Sequence, residues 1–165
     1  GLFRLLDALA LMEDRTLELH LVGEGPLKAD LEAHAASLGI RGQVRFRGFL
    51  SRPRLRAALH AAACYINPAD YESGPLTLLE AMACGTPVVS TATGLVPELG
   101  EAPPLTLAKQ EAGDLARCIE RVLADPVAAT ARADEARLLV ERRFDWEHVV
   151  DQLESVYAGR QRQAA

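Results

Sequence analysis

A twenty-residue stretch, YESGPLTLLEAMACGTPVVS from Tyr71 to Ser90, constrains the fold of this chain more than any other part of it. Ser73 or Gly74 can serve as the N-cap of a helix, and Pro75 suits the first helical position, where no N–H partner is needed. Gly85 supplies a left-handed residue that ends the helix, and PVVS is a short apolar run of the kind buried in a parallel sheet. The stretch therefore predicts a loop, a helix, a turn and a buried strand in succession.

The first turn of this predicted helix has the properties of an anion site. The N–H groups of Leu76 and Thr77 have no partner within the helix, and the positive end of the helix dipole lies there. Glu72 in the preceding loop and Glu80 further along the helix flank that turn. Carboxylates repel a phosphate, but they accept hydrogen bonds from sugar hydroxyls on either side of a diphosphate. The stretch therefore predicts a site for a nucleotide sugar.

Short apolar runs alternate with helical patterns in the first half of the chain. The run Leu17–Val22 ends in GEGP, where Gly23 and Gly25 allow a tight turn, and an alternating run from Val44 ends in Gly48. This βαβα order predicts an α/β fold, with a Rossmann-like doubly wound parallel sheet that binds ligands at the carboxyl ends of its strands. A plain strand-to-helix turn remains an alternative interpretation of GEGP, because GxG alone is a weak signal.

Helical periodicity opens and closes the chain. Apolar residues from Leu2 to Met12 recur at helical spacing, and a stripe from Trp146 to Tyr157 predicts a terminal helix that packs against the core. Asp145 can cap that helix. The polar residues after it predict a frayed tail. We therefore expect one domain over residues 1–158 and a tail over residues 159–165.

Composition and charge exclude several classes of protein. With 165 residues, of which 49% are hydrophobic and 25% charged, the chain suits one soluble globular domain. A formal charge of −5 argues against a nucleic-acid partner. The sequence has no apolar run of membrane-spanning length and no signal-peptide pattern, so a cytoplasmic location is expected.

The cysteines and histidines give no metal signature. Cys64, Cys84 and Cys118 are odd in number and far apart in apolar surroundings, so we expect buried thiols rather than disulfides. The four histidines lack the spacing of metal ligands. We therefore expect no metal and no other cofactor.

Six arginines lie between Arg41 and Arg56 in an otherwise acidic chain. A solvated face is the favoured interpretation of this segment. The alternative is a patch that faces an anion or lipid headgroups, which would place the protein peripherally at the inner face of a membrane.

The pair Glu72 and Glu80, spaced E-x7-E and continued as EAMACGTPVVS and TGLVPEL, resembles the C-terminal, donor-binding half of a family 4 retaining glycosyltransferase of the GT-B fold. The resemblance covers nearly the whole chain and is most specific from Tyr71 to Glu98. It implies that Glu72 meets the transferred sugar, that Glu80 binds the ribose hydroxyls and that backbone amides between them hold the diphosphate. Gly94 is followed by Leu95 where the family usually has two successive glycines, so the resemblance is weaker at that point.

The resemblance also implies that the loop after the second strand borders the nucleobase. Glu72 is the catalytic candidate. The candidates for donor and nucleotide binding are Gly23, Gly25, Gly48, Phe49, Leu50, Ser73, Gly74, Pro75, Leu76, Thr77, Glu80 and Gly94.

The resemblance further implies that the chain is a fragment. Members of the family begin this domain with a strand and a turn whose Arg and Lys hold the diphosphate, and this chain starts just after that point. In the family's sheet that strand lies between those at Leu17–Val22 and Tyr65–Asn67, so we expect two unpaired inner edges or direct pairing of those strands. Acceptor contacts belong to the family's N-terminal domain, so we expect the fragment alone not to transfer sugar.

The function expected from these observations is transfer of a hexosyl-type sugar from a nucleotide-diphosphosugar. The acceptor is unknown and is a sugar, a lipid or a polysaccharide. One alternative is a non-catalytic doubly wound binding or regulatory module, although the acidic cluster and the Lys of a receiver domain are not visible. A GT-B nucleotide-sugar epimerase is the other alternative.

Overall fold

The computed structural model describes residues 1–163, with side chains as far as Gly159, and contains helices and five short strands in alternation. The helices are α1 Leu2–Leu11, α2 Lys28–Ser37, α3 Arg52–Ala61, α4 Leu76–Ala83, α5 Ala112–Ala124, α6 Pro126–Arg143 and α7 Trp146–Gln163, with a 3-10 helix at Val96–Leu99. The strands are β1 Leu19–Val22, β2 Val44–Gly48, β3 Tyr65–Asn67, β4 Val88–Thr91 and β5 Thr106–Ala108.

The strands form two parallel sheets, β1–β2 and β3–β4–β5. The prediction of an α/β fold with parallel strands and flanking helices is confirmed. The expectation of two unpaired inner edges agrees with the described residues, because no strand lies between β1 and β3 and pairing needs strands about 4.8 Å apart. The two inner edges therefore stay apart, and the direct pairing considered as an alternative does not occur in residues 1–163.

Helices cover the β3–β4–β5 sheet on both faces. Val89 of β4 belongs to a core cluster with residues of α1, α2 and α5, whereas its neighbour Val88 belongs to a second cluster with residues of α3, α4 and α6. Successive side chains of a strand point to opposite faces, so these two clusters lie on opposite sides of the sheet. This is the doubly wound arrangement that the sequence predicts.

The first core cluster also joins the two sheets. Leu6 of α1, which is fully buried, belongs to it together with Val44 of β2 and Val89 of β4. Helix α1 packs against α2 and α5. The β1–β2 sheet is therefore fixed to the rest of the domain through helices rather than through strand pairing.

The outer face of the β1–β2 sheet is open to solvent. Its exposed residues include Arg45 and Arg47 of β2, which alternate with the buried or partly buried residues of the same strand. Arg45 pairs with Glu18 at 2.7 Å, and Arg41 pairs with Glu32 at 3.6 Å. The arginines of this segment thus lie on solvated surface, as favoured from the sequence.

The last helix, α7, agrees with one prediction and departs from two. Asp145 accepts a hydrogen bond from the N–H of Glu147 and so caps α7 as expected. The stripe on α7 was expected to pack in the core, but Trp146 is 75% exposed and Tyr157 is also exposed, and the main packing contact of α7 is with α6. Helix α7 continues through Gly159 to Gln163, so the tail predicted from residue 159 is helical that far, and residues 164 and 165 lie outside the described residues.

None of the helices described is both long enough and apolar enough to cross a membrane.

Candidate nucleotide-sugar site

The central stretch folds as loop, helix, turn and buried strand. Helix α4 ends in a Schellman motif, in which Gly85 has a φ of +67° and donates to Met82 O, while Thr86 N–H donates to Ala81 O. The four residues of β4 that follow are all buried. The helix stop and the buried strand predicted from this stretch are confirmed.

The start of α4 lies one residue later than predicted. Pro75 is the N-cap, since it has the non-helical ψ of 96° and its carbonyl accepts the N–H of Leu78 at 3.0 Å. The prediction that Ser73 or Gly74 caps the helix, with Pro75 in the first turn, is therefore wrong. No side chain caps α4, which leaves its first amides free for another partner.

Those free amides belong to Leu76 and Thr77. Neither N–H donates to a protein acceptor in the part of the chain that the structure describes. The side chain of Leu76 is 73% exposed and Thr77 is exposed as well, so solvent reaches this turn. Two unpaired N–H groups at the positive end of a helix form an anion-binding surface.

A pair of hydroxyl groups beside this turn is acted on by the charges of two carboxylates. Tyr65 Oη lies 2.8 Å from Thr77 Oγ1 and so ties β3 to the start of α4. Burial raises the pKa of the Tyr65 phenol, and the negative charges of Glu72 and Glu80 raise it further. Glu72 and Glu80 therefore both lie near enough to the Tyr65 phenol for their charges to act on it.

Tyr65 is a site residue that the sequence did not indicate. It and Thr77 lie twelve residues apart on different elements. No local pattern marks such a contact. The only hint in the sequence was a threonine, Thr77, in the first turn of a predicted helix, where a hydroxyl can bond a neighbouring element.

Gly94 contacts the loop that carries Glu72. It has a φ of +58°, and a Cβ placed on it would lie 2.8 Å from Cδ of Pro75 and 3.1 Å from Cβ of Glu72. This geometry places Gly94 beside the loop of Glu72, and its part in donor binding stays a prediction. Its close approach is to the loop itself, so a side chain here would displace Glu72.

The candidates on the first sheet form a second group at the ends of β1 and β2. Gly23 N–H donates to Gly48 O at 2.8 Å, with φ of +118° for Gly23 and +63° for Gly48. Phe49 is 80% exposed and Leu50 is half-buried. Within residues 1–163 no hydrogen bond joins this group to α4, so the structure assembles the predicted site in two parts.

Gly25 and Ser73 make no specific contact that the structure assigns to a site. A Cβ on Gly25 would meet nothing within 4 Å, and the same holds for Gly74. Ser73 is exposed. Their roles stay predictions.

Metal-binding clusters and disulfides are absent from the described residues. Residues 1–163 contain no group of three or more potential metal-ligating side chains. The three cysteines are free thiols, with Cys118 buried and the other two partly buried. Burial raises the pKa of Cys64 to about 11, so this thiol stays protonated at neutral pH.

Comparison with known proteins identifies the family of the chain. The family model for glycosyl transferases group 1 matches residues 1–139. A glycogen synthase of Mycobacterium tuberculosis is 35% identical over 149 residues, which cover 87% of this chain and 35% of that protein. A 2-deoxystreptamine glucosyltransferase of Streptomyces kanamyceticus is 33% identical over 130 residues, covering 78% of this chain and 34% of the relative. The chain therefore spans about a third of the length of these curated relatives.

Solved structures show the same fold. Sucrose-phosphate synthase from Thermosynechococcus elongatus superposes with a TM-score of 0.86 at 31% identity, over 99% of this chain and 42% of that chain. HepE from Anabaena, solved in complex with UDP, has a TM-score of 0.86 at 26% identity, over 96% of this chain and 45% of its own. The free amides of α4, the flanking carboxylates and these matches agree, and the chain belongs to the group 1 glycosyl transferases.

Proposed function

We propose that this chain is the donor-binding half of a family 4 retaining glycosyltransferase, which moves a hexosyl-type sugar from a nucleotide-diphosphosugar to an acceptor. The observation that supports the proposal best is the pair of unpaired amides, Leu76 and Thr77, at the start of α4. The carboxylates Glu72 and Glu80 lie near enough to act on the adjoining Tyr65 phenol. A diphosphate fits the amides, and hydroxyl-bearing groups on both sides of it fit the carboxylates.

Each residue of the site has one part in the proposed reaction. The amides of Leu76 and Thr77 bind the diphosphate and stabilise the negative charge that grows on it as the bond to the sugar breaks. Glu80 accepts from the ribose hydroxyls. Glu72 accepts from the transferred sugar and positions it. The developing charge on the leaving group is met by fixed N–H dipoles, so the proposal requires no metal and no strong base.

The nucleobase is proposed to lie at the ends of β1 and β2. Gly23 and Gly48 join the two strand ends there, and Phe49 presents an exposed ring beside them. The names of the matched proteins include a GDP-mannose-dependent mannosyltransferase, and HepE was solved with UDP-glucose. Those donors belong to those proteins, and the base and sugar used by this chain are left to experiment.

The acceptor side and the remaining diphosphate contacts are proposed to come from the rest of a longer enzyme. The chain covers 35% of the glycogen synthase that it matches. Strands β1 and β3 are unpaired with each other in residues 1–163. We propose that one further parallel strand pairs with both, and that it carries the Arg and the Lys that the family resemblance implies. We propose that an N-terminal domain supplies the acceptor site and that the protein works in the cytoplasm.

A thermal-shift titration tests the proposal. The protein is titrated with UDP, GDP and ADP and with the corresponding nucleotide sugars. A ligand that binds the folded state raises the melting temperature. At a ligand concentration of a hundred times Kd the stabilisation is about 2.7 kcal/mol. Glu80→Gln should reduce the shift. Glu120→Gln, which changes another exposed carboxylate, on α5, is the matched control and should not reduce the shift.

Two results separate the proposal from its alternatives. A regulatory module without a sugar site would show no shift with any diphosphosugar, which would overturn the proposal. An epimerase would convert the sugar of its donor without an acceptor, which chromatography of the incubated donor detects.

A further inference from the structure

The loop that leads from β3 to Glu72 is bonded to side chains from three separate elements. Thr91 Oγ1 at the end of β4 donates to Ala69 O at 2.6 Å and lies 3.4 Å from Asn67 O. Gln110 Nε2, after β5, donates to Asp70 O at 3.1 Å. Arg4 Nη1 of α1 donates to Pro68 O at 3.3 Å. Three successive carbonyl groups, those of residues 68–70, thus each accept from a side chain.

Such bonding is unusual for a loop, because exposed loop carbonyls are ordinarily satisfied by water and leave the backbone mobile. Thr91 is fully buried and Pro68 is buried, so the bonds at this point are shielded from solvent. The carboxylate of Asp70 also bonds the guanidinium of Arg4. We call the set of Arg4, Thr91 and Gln110 the loop clamp.

The loop clamp acts next to Glu72. Asp70 is the last clamped residue, and a single residue, the exposed Tyr71, separates it from Glu72. On its other side Glu72 is backed by Gly94, with no room for a Cβ between them. The backbone of Glu72 is therefore constrained by the hydrogen-bonded residues before it and by close contact with Gly94. By contrast, Glu80, Leu76 and Thr77 are residues of α4, and the backbone hydrogen bonds of that helix fix their positions.

We propose that Arg4, Thr91 and Gln110 are positioning residues that fix Glu72 for the transferred sugar. This inference rests on the proposed function. Loosening the clamp should reduce the part of donor affinity and of turnover that depends on the sugar, and should leave binding of the nucleotide diphosphate alone unchanged. A residue that only stabilised the fold would change both together.

The test is calorimetry of the wild-type protein and its variants with two ligands, the nucleoside diphosphate identified by thermal shift and its diphosphosugar. For Arg4→Ala, Gln110→Ala and Thr91→Val we expect the ratio of the two affinities to fall by about fivefold or more, as for at least one lost hydrogen bond, while the Kd of the diphosphate stays within about twofold. Thr91→Ser keeps the hydroxyl and should restore the ratio. In the enzyme that transfers sugar, kcat should fall while the KM of the donor changes less.

Two matched controls lie away from the loop. Gln43→Ala removes another side-chain amide that donates to a backbone carbonyl, that of Leu17 at 3.2 Å. Arg41→Ala removes another guanidinium that bonds a carbonyl, that of Val44 at 3.3 Å, and a carboxylate, that of Glu32. Neither should change the affinity ratio.

Three outcomes overturn the inference. An unchanged ratio in Arg4→Ala, Gln110→Ala and Thr91→Val refutes positioning of Glu72 while leaving the proposed function intact. An equal loss of affinity for both ligands shows a role in the fold only. A wild-type protein that binds neither ligand refutes the proposed function itself, and the clamp inference with it.

Discussion

Replacing Gly94 by alanine should destabilise the protein in two ways, through backbone strain and through a clash with the loop that carries Glu72. Gly94 has a φ of +58°, a conformation in which a Cβ costs about 1–2 kcal/mol. The added Cβ would also lie 2.8 Å from Cδ of Pro75, 3.1 Å from Cβ of Glu72 and 3.3 Å from the carbonyl oxygen of Glu72. These are atoms of a proline ring and of the chain itself, so they move only if the loop moves.

The expected loss of stability is the sum of the backbone strain and the steric clash. Overpacking of this kind costs about 1–3 kcal/mol, so Gly94→Ala should lower the free energy of unfolding by about 2–5 kcal/mol in total. Gly39→Ala is the matched control, because Gly39 has a φ of +72° and a Cβ there would meet nothing within 4 Å. It should lose only the strain contribution, about 1–2 kcal/mol.

Urea denaturation of both variants measures this difference, and calorimetry with the diphosphosugar measures its effect on the site. Since the clash involves Glu72, the part of donor affinity that depends on the sugar should be lost in Gly94→Ala and kept in Gly39→Ala. Equal losses of stability in the two variants would refute the argument that Gly94 is required for close contact with the loop.

Three further predictions concern the ligand, the open edges and pH. Glu80→Ala should weaken binding of the nucleoside diphosphate by about 1–3 kcal/mol in calorimetry. Glu72→Ala should reduce sugar transfer more than nucleotide affinity. Wild-type affinity in Glu80→Ala would contradict the proposed contact with the ribose. A chain extended at its N-terminus by the family's strand, with its Arg and Lys, should melt higher and bind nucleotide more tightly, and equal affinity without the extension contradicts this. Hydrogen bonding by the N–H of Lys109 holds the pKa of Asp114 below 3.8, so this carboxylate contributes stability that is lost as the pH falls through its folded-state pKa. The urea midpoint should therefore drop as the pH falls below the ordinary pKa of an aspartate, and should drop less in Asp114→Asn, which cannot titrate.

Local signals in the sequence were sufficient for the order of elements and for part of the site. The left-handed Gly85 and the apolar run after it predicted the end of α4 and the buried strand, because the backbone preference of a residue is a local property. The start of α4 was misplaced by one residue, because the φ of a proline suits both the N-cap and the first turn.

Contacts between distant parts of the chain could not be predicted from the sequence. The bond between Tyr65 and Thr77 and the clamping of the loop by Arg4, Thr91 and Gln110 join side chains across elements. The stripe on α7 shows a different limit, because periodicity identifies an apolar face without indicating what covers it. Nothing in the pattern from Trp146 to Tyr157 distinguishes a helix in the core from one whose face is exposed.

The division of the strands into two sheets sets how the domain opens. No strand pairing crosses from β1 to β3, so β1, β2 and α2 meet the rest of the domain through the side chains of α1 and its neighbours. Segments joined by side-chain packing alone separate at lower cost than segments joined by a continuous ladder of backbone hydrogen bonds. In this chain we therefore expect the first sheet to open separately, and its backbone amides to exchange with deuterated solvent faster than those of β4, which has a paired strand on each side.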